Sequence, residues 1–267
     1  MNLRLATWFY FGLGAPARGR RYPDCSVRAA AGYDPELVRT LLLIYRGESA
    51  GGEARKINHR CAEIRLASGR PAQDPEGRFF FKEFPWRDAW HGVERFLRLS
   101  RVDRAWRAAH LLPRFGINTP PAVGTVIARG PGGRVVEYLA TEWLDGARPF
   151  PDAVRGAKSA EERLTLLCEF ARSLRFWHDQ GVYLRDLVKN VLVRDGESGR
   201  SYWLTDLDSL HPYRWVTRKR LLRVMRQLGH WAGPLSREEA HAVCEAYLGN
   251  TEGPLACSMI EGLLAPD

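Results

Sequence analysis

Three polar side chains in the second half of the chain lie at the two ends of a predicted β-hairpin. Asp186 and Asn190 precede one short apolar segment, residues 191–193, and Asp206 follows a second, residues 202–204, after a glycine-bearing turn. Because a hairpin brings its ends together, we expect these side chains to converge. One carboxylate would then orient a hydroxyl nucleophile, while the other and the amide oxygen hold Mg²⁺ against nucleotide phosphates. The alternative is a surface hairpin with solvated acids, since Asp and Asn are common around turns.

The residues around this hairpin resemble the catalytic loop and metal-binding segment of the protein-kinase-like fold. Residues 184–187 read Leu-Arg-Asp-Leu where that fold has His-Arg-Asp-Leu, and residues 205–208 read Thr-Asp-Leu-Asp in the Asp-Phe-Gly region. An Asp-hydrophobic-Asp sequence here is similar to the bacterial lipopolysaccharide kinase family, the Kdo and heptose kinases. Two positions differ, because Leu184 replaces the His and Asn190 follows Asp186 by four residues instead of five. The shorter spacing either tightens the loop or keeps Asn190 away from the metal.

Upstream segments predict a β-rich region that would bind the phosphates. Residues 62–67 alternate in polarity, residues 78–84 form an aromatic strand that carries Lys82, and residues 38–45 fit either a strand or a helix. The resemblance implies that the glycine-bearing turn at 47–52 covers the phosphates with backbone N–H groups. It also implies that Lys82 binds the α- and β-phosphates. The alternative for Lys82 is an outward-facing, solvated lysine.

Residues 89–114 have apolar positions at a helical period, and the helix is predicted to end at a Gly-Ile-Asn-Thr-Pro sequence. A helix, Gly-Ile-x-Thr-Pro and then a strand is again similar to the lipopolysaccharide kinases. In kinase-like folds this helix supplies a Glu that pairs with the strand lysine. The aligned residue in this chain is Ala105, and the acidic residues nearby, Asp103 and Glu94, do not fall into register.

Two further segments lead into the catalytic motif. Residues 122–128 and 135–144 predict an antiparallel pair, and the resemblance makes its end a hinge where backbone groups of Glu142 and Leu144 bond adenine. Residues 159–180 predict an amphipathic helix with Ser159 as N-cap. His178, near the end of that helix, is expected to hold the catalytic loop and not to act as a base.

The net charge of +9 favours an acidic partner, such as nucleic acid, a phosphorylated glycolipid or an anionic membrane surface. An arginine-rich genome would also produce this charge. The helix predicted at 216–231 is strongly basic, and it is either a solvated face or an anion-binding face near the acceptor. Five cysteines without a C-x-x-C pair argue against a disulfide framework or a zinc site. The apolar segment 6–15 is too short to span a bilayer and is expected to form a strand or strap, or to lie on a membrane surface.

Together these features predict an α+β, two-lobed protein-kinase-like fold with a β-rich N-lobe and a mainly helical C-lobe. We expect an extension or strap at 1–36, the N-lobe at 37–142 and the C-lobe at 143–267. The resemblance implies an ATP- and Mg²⁺-dependent kinase in which Asp186 activates a sugar hydroxyl of the lipopolysaccharide inner core, Lys82 contacts the phosphates, and Asn190 and Asp206 hold the metal.

The implied acceptor is a Kdo or heptose sugar. The sequence contains no Ala-Pro-Glu activation segment, which favours a small-molecule or glycan acceptor over a protein. We expect a cytoplasmic protein with no nucleic-acid partner, and the basic charge leaves open a peripheral contact with the inner membrane. Two alternatives remain: a pseudokinase that only binds nucleotide, and a kinase for another small hydroxyl compound.

Overall fold

The computed structural model describes residues 17–67, 77–85, 100–130, 133–197, 199–212, 216–249 and 251–264. These residues divide into two units. One unit, the sheet unit, contains residues 17–111 and 120–145, and the other, the helical unit, contains 112–119 and 146–264. The predicted fold class is confirmed, because a β-rich first part is followed by a mainly helical second part.

A seven-stranded antiparallel sheet forms the first unit, in the spatial order β1-β2-β6-β7-β5-β4-β3. The strands are β1 (Ala17–Arg21), β2 (Cys25–Ala30), β3 (Gly52–Asn58), β4 (Cys61–Leu66), β5 (Arg78–Pro85), β6 (Ala122–Arg129) and β7 (Val135–Glu142). The predicted pairing of β6 with β7 and the aromatic strand β5 are confirmed. Because β1 and β2 belong to the same sheet, the sheet begins upstream of residue 37. Residues 1–16, which include the apolar segment 6–15, lie outside the described residues.

The first helix, α1 (Pro35–Arg46), decides the open choice for residues 38–45 in favour of a helix. Asp34 caps its N-terminus by accepting a hydrogen bond from the Glu36 amide at 2.8 Å, and Gly47 ends it in a left-handed conformation. The glycine-bearing turn at 47–52 therefore joins a helix to β3 and does not connect two strands, and its contact with the phosphates stays a prediction. The β3–β4 hairpin turns instead through His59 and Arg60, without glycine.

Two helices cover opposite faces of the sheet. Helix α1 packs on the face that bears Phe81, and its Tyr45 lies 5.2 Å from that ring between centroids. Helix α2 (Arg101–Leu111) packs on β6 and β7, and its Arg101 lies 5.4 Å from the ring centre of Phe84. Successive side chains on a strand point to opposite faces, so α2 covers the face that also carries Lys82. The predicted residues 89–99 of this helix are outside the described part of the chain.

The second unit is built mainly of helices: α3 (Phe150–Arg155), α4 (Ala160–Asp179), α5 (Arg218–Trp231), α6 (Arg237–Leu248) and α7 (Pro254–Leu264). Short strands accompany them: β8 (Arg148–Pro149), β9 (Val182–Tyr183), β10 (Val191–Gly196), β11 (Gly199–Leu204) and β12 (His211–Pro212). The predicted helix at 159–180 is confirmed, with the Ser159 hydroxyl accepting from the Glu162 amide at 3.0 Å. In its core, the rings of Phe150 and Phe170 stack with centroids 4.2 Å apart. None of the described helices combines the length and the hydrophobicity needed to cross a bilayer.

Candidate active site

The predicted hairpin forms in the helical unit, and it brings Asn190 beside Asp206. Strands β10 and β11 pair antiparallel with Val191 opposite Leu204. The amide and the hydroxyl of Thr205 both donate to the Asn190 carbonyl, at 2.8 and 2.9 Å. Because Asp206 directly follows Thr205, these two bonds fix its backbone against the residue that precedes β10.

Asp206 has an unusual backbone conformation. Its φ of 55° and ψ of 46° lie in the left-handed region, and among the described residues no other non-glycine residue has a positive φ. Such a conformation costs on the order of 1–3 kcal/mol, and it persists at sites where the surrounding structure holds it in place. Asp206 is half-buried as a residue, whereas Asp208, two residues later, is buried. The strained backbone makes Asp206 a candidate functional residue.

Asp186 lies on an exposed segment that buried neighbours hold in place. Its side chain is 51% exposed and forms an ion pair with Lys189 at 3.3 Å. Leu184 and Leu187 on either side are buried. From α5, the Gln227 side chain donates to the Arg185 carbonyl at 2.6 Å. Asp186 therefore combines an accessible carboxylate with an anchored backbone, which suits a group that must orient a substrate hydroxyl.

Asn190 and Asp206 provide an amide oxygen and a carboxylate, and hard oxygen ligands of this kind fit Mg²⁺. In the described ranges, no group of three His, Cys, Asp or Glu side chains is arranged to hold a metal. Mg²⁺ in nucleotide-dependent enzymes needs only one or two protein ligands, because phosphates and waters supply the others. The residues present at this hairpin thus fit a magnesium ion that is bound together with a nucleotide.

Lys82 lies on β5 of the sheet unit, half-buried, and its ammonium is 4.9 Å from the ring centre of Phe84. Ala105, where the resemblance expects the acidic partner, is buried on α2. The Asp103 carboxylate accepts hydrogen bonds from Arg28 and from the Ser100 hydroxyl, both at 3.0 Å. Asp103 is therefore engaged with other groups, and Glu94 lies outside the described residues.

The predicted hinge follows β7, and most of the polar groups near it form hydrogen bonds within the sheet unit. The Glu142 amide donates to the Pro121 carbonyl at 2.9 Å, and the Trp143 amide donates to the Arg78 carbonyl at 3.1 Å. The Glu142 carboxylate accepts from the Tyr33 hydroxyl. Binding of adenine by Glu142 would therefore fall to its backbone carbonyl, and Leu144 is half-buried two residues further on.

His178 is buried at the end of α4, where its Nδ1 lies 2.8 Å from the Tyr247 hydroxyl on α6. Burial, and then the nearby positive charge of Arg175, lower the pKa of His178 to about 3. The neutral ring joins two helices and is a poor proton acceptor near neutral pH. The contact agrees with a structural role, but it joins α4 to α6, whereas the prediction had His178 holding the catalytic loop.

Helix α5 forms as predicted, and it packs against the turn that carries Asn190. Lys219, Arg223 and Arg226 are exposed on it, and the Arg220 guanidinium lies 5.6 Å from the ring centre of Tyr183. Sequence analysis missed Gln227, the residue of α5 that donates a hydrogen bond to the segment carrying Asp186. A single Gln in a basic helix carries no local signal, because its role depends on a residue 42 positions away.

The β-rich first unit and the mainly helical second unit agree with the predicted protein-kinase-like fold. No family model matches the sequence, and no curated protein sequence matches it. A solved structure of WaaP in complex with acyl carrier protein is similar, with 18% identity and a TM-score of 0.52 over 80% of this chain and 89% of that one. A MAP kinase from Leishmania major is similar at 16% identity, with a TM-score of 0.42 over 86% of this chain and 66% of that one. The similarity to WaaP shows that the two proteins share a fold.

Proposed function

We propose that this protein is an ATP- and Mg²⁺-dependent kinase that phosphorylates a sugar hydroxyl, of Kdo or heptose, in the lipopolysaccharide inner core. The observation that carries the proposal is the strained Asp206 held beside Asn190, with Asp186 on the anchored segment four residues upstream. The fold shared with WaaP and the Asp-Leu-Asp sequence support the choice of acceptor.

Each residue would have a defined role. Asp186 would accept the proton of the acceptor hydroxyl and orient its oxygen, and Lys82 would bind the phosphates. Asp206 and Asn190 would hold Mg²⁺, and backbone groups of Glu142 and Leu144 would bond the adenine. Bound Mg²⁺ would neutralise charge on the phosphates. Most of the catalysis would come from positioning and electrostatic stabilisation, because phosphoryl transfer asks for little covalent chemistry from the protein.

The basic residues support two further parts of the proposal. Exposed Lys219, Arg223 and Arg226 on α5 suit a phosphorylated or carboxylated acceptor and a peripheral contact with the anionic cytoplasmic face of the inner membrane. The comparison structure contains WaaP bound to acyl carrier protein, so an acidic carrier protein is a second candidate partner. Binding to anionic vesicles and to acyl carrier protein, measured separately at two salt concentrations, would test both.

A pseudokinase is the second candidate function. Ala105 in place of the helix Glu and the shortened spacing between Asp186 and Asn190 favour it. A kinase for another soluble hydroxyl compound differs from the main proposal only in its acceptor. A pseudokinase would bind nucleotide weakly or without Mg²⁺ and would show no turnover.

The deciding experiment is incubation of the purified protein with ATP, Mg²⁺ and dephosphorylated lipopolysaccharide, followed by mass spectrometry. We expect one added phosphate on an inner-core sugar. Asp186→Ala should lower turnover by about 10²–10⁴ with ATP binding nearly unchanged, because a general base acts in the transition state. Asp179→Ala, which removes an exposed carboxylate paired with Arg175, is the matched control and should retain activity. An active wild type with an equally active Asp186→Ala variant would refute this mechanism.

A further inference from the structure

The helical unit contains a groove of about 380 Å³ beside strand β11. Three elements of this one unit line it: α4, β11 and the segment 112–119. The lining side chains include Arg172, Phe176, Trp177, Asn118, Arg200 and Tyr202. A groove of this size holds a small ligand or part of a peptide. None of the roles proposed above uses it.

Two hydrogen bonds show which way the backbone of β11 faces. The Thr205 amide, just beyond the strand, donates to the Asn190 carbonyl at 2.8 Å and so points toward β10. The Leu204 amide points the other way, because it donates to the Asn118 carbonyl at 2.9 Å. Successive residues of an antiparallel strand direct their N–H and C=O groups to alternate sides. The even-numbered residues of β11 therefore face away from β10.

The backbone of Arg200 and Tyr202 forms an open edge beside the groove. In the described part of the chain, β11 is the outer strand of its sheet, and Asn118 covers only Leu204. Among the described residues, none forms a hydrogen bond with the outward amides and carbonyls of Arg200 and Tyr202. A row of unpaired N–H and C=O groups is the template on which an extended peptide adds as a further strand.

The side chains around this edge select the chemistry of the peptide. Arg200 is occupied, since its guanidinium donates to Asp195 at 2.9 Å and to Glu169 at 3.0 Å. Arg172 is exposed and forms no hydrogen bond or ion pair with any residue that the structure describes, so it is the cation available to an acidic side chain. Phe176 follows one helical turn later on α4 and is 41% exposed, so it offers apolar surface.

We propose that the outer edge of β11 binds an extended segment of a partner protein by β-strand addition. The segment carries an acidic side chain for Arg172 and an apolar side chain for Phe176. These two side chains are two residues apart, because alternate residues of a strand share a face and rise by about 7 Å, close to the rise of about 6 Å over four helical residues. A small anion would pair with Arg172 but leave the backbone edge unbound. The proposal does not depend on the proposed kinase activity.

Amide hydrogen exchange on the full chain, followed by NMR, tests whether the edge is open. The amides of Ser201 and Trp203 point toward β10, where they are hydrogen-bonded, and should exchange slowly. Those of Arg200 and Tyr202 should exchange at least about tenfold faster, because they lack a backbone partner. Equal protection of all four amides in the unliganded protein would overturn the open edge.

Binding is tested with a phage-displayed library of random ten-residue peptides, selected against the full chain. Enriched peptides should carry an acidic and an apolar residue two positions apart, and a synthetic copy should protect the amides of Arg200 and Tyr202. Arg172→Ala should weaken binding of that peptide by about tenfold. Arg175→Ala, which removes an exposed arginine paired with Asp179 on the same helix, is the control and should not. Failure to enrich any peptide, or equal affinity in the wild type and Arg172→Ala, would overturn the proposal.

Two substitutions at one position isolate the backbone contribution. Arg200→Ala and Arg200→Pro remove the same side chain, but only proline also removes the outward N–H, and an edge strand tolerates proline there. Arg200→Pro should weaken peptide binding at least about tenfold more than Arg200→Ala, and equal affinities would exclude strand addition. If the proline variant does not fold, peptides N-methylated at alternate residues replace it, and methylation should prevent binding in one set of positions only. Equal effects in both sets, with competition by inorganic phosphate, would indicate a small-anion site and overturn the proposal.

Discussion

Replacing Asp206 by Asn separates the metal-binding role of this residue from its strained backbone. Asn tolerates the left-handed conformation that Asp206 adopts at φ 55°, so the stability of the unliganded protein should change by less than about 0.5 kcal/mol. Asp206→Val, whose branched side chain does not suit a positive φ, should instead lower stability by about 1–3 kcal/mol. The Asn variant keeps the fold and removes the negative charge that would hold Mg²⁺.

The assay is thermal unfolding with ATP, in the presence and absence of Mg²⁺. A ligand at 100 times its Kd stabilises the native state by about 2.7 kcal/mol, which for a chain of this size is a shift in Tm of roughly 5–10 °C. The wild type should show this shift only with Mg²⁺, and Asp206→Asn should lose it. Asp195→Asn is the control, because Asp195 is 57% exposed in the same hairpin and pairs with Arg200. An equal Mg²⁺-dependent shift in wild type and Asp206→Asn would exclude Asp206 as a metal ligand.

Two other predictions concern the helical unit. Its stability should fall as pH decreases from about 6.5, because unfolded His178 then binds a proton that the buried ring, with its pKa near 3, does not. This slope, measured by urea denaturation, is at most about 1.4 kcal/mol per pH unit, and His178→Phe should flatten it. Equal slopes in the wild type and His178→Phe would contradict the assignment of the pH dependence to His178. Gly229→Ala should cost about 1–3 kcal/mol, since its Cβ would collide with the Leu263 carbonyl. In Gly262→Ala the new Cβ would have its nearest contact at 3.6 Å, so this variant should be neutral or more stable by up to about 1 kcal/mol. Equal losses of stability in Gly229→Ala and Gly262→Ala would refute the packing argument.

Elements with an apolar pattern and clear end signals were predictable from the sequence. The β10–β11 hairpin has apolar strands around a glycine turn, and α4 has an apolar stripe behind the Ser159 cap. The contact of Asn190 with Thr205, the residue before Asp206, was predictable for the same reason, because the two strands of a hairpin bring distant positions of the chain side by side. Patterns of this kind report burial and local geometry.

Other elements gave no such signal. All five residues of β1 and most of β3 are exposed, so neither strand shows the alternation that burial imposes. The helix α1 does carry end signals in Asp34 and Gly47, but its apolar residues also fit a strand. The contact between the Gln227 side chain and the Arg185 carbonyl joins residues 42 positions apart, and composition and periodicity do not encode it.

Neither unit is a continuous piece of the chain, because residues 112–119 belong to the helical unit while the residues on both sides belong to the sheet unit. The Asn118 carbonyl in this segment accepts a hydrogen bond from the Leu204 amide at 2.9 Å, across 86 positions. At about 5–20 residues per second, a ribosome needs roughly 4–17 s to make that stretch. During vectorial synthesis the segment must therefore emerge long before its partner strand exists. A gene fragment that starts at residue 146 would encode most of the helical unit without the Asn118 carbonyl, which accepts the hydrogen bond from Leu204 at the end of β11.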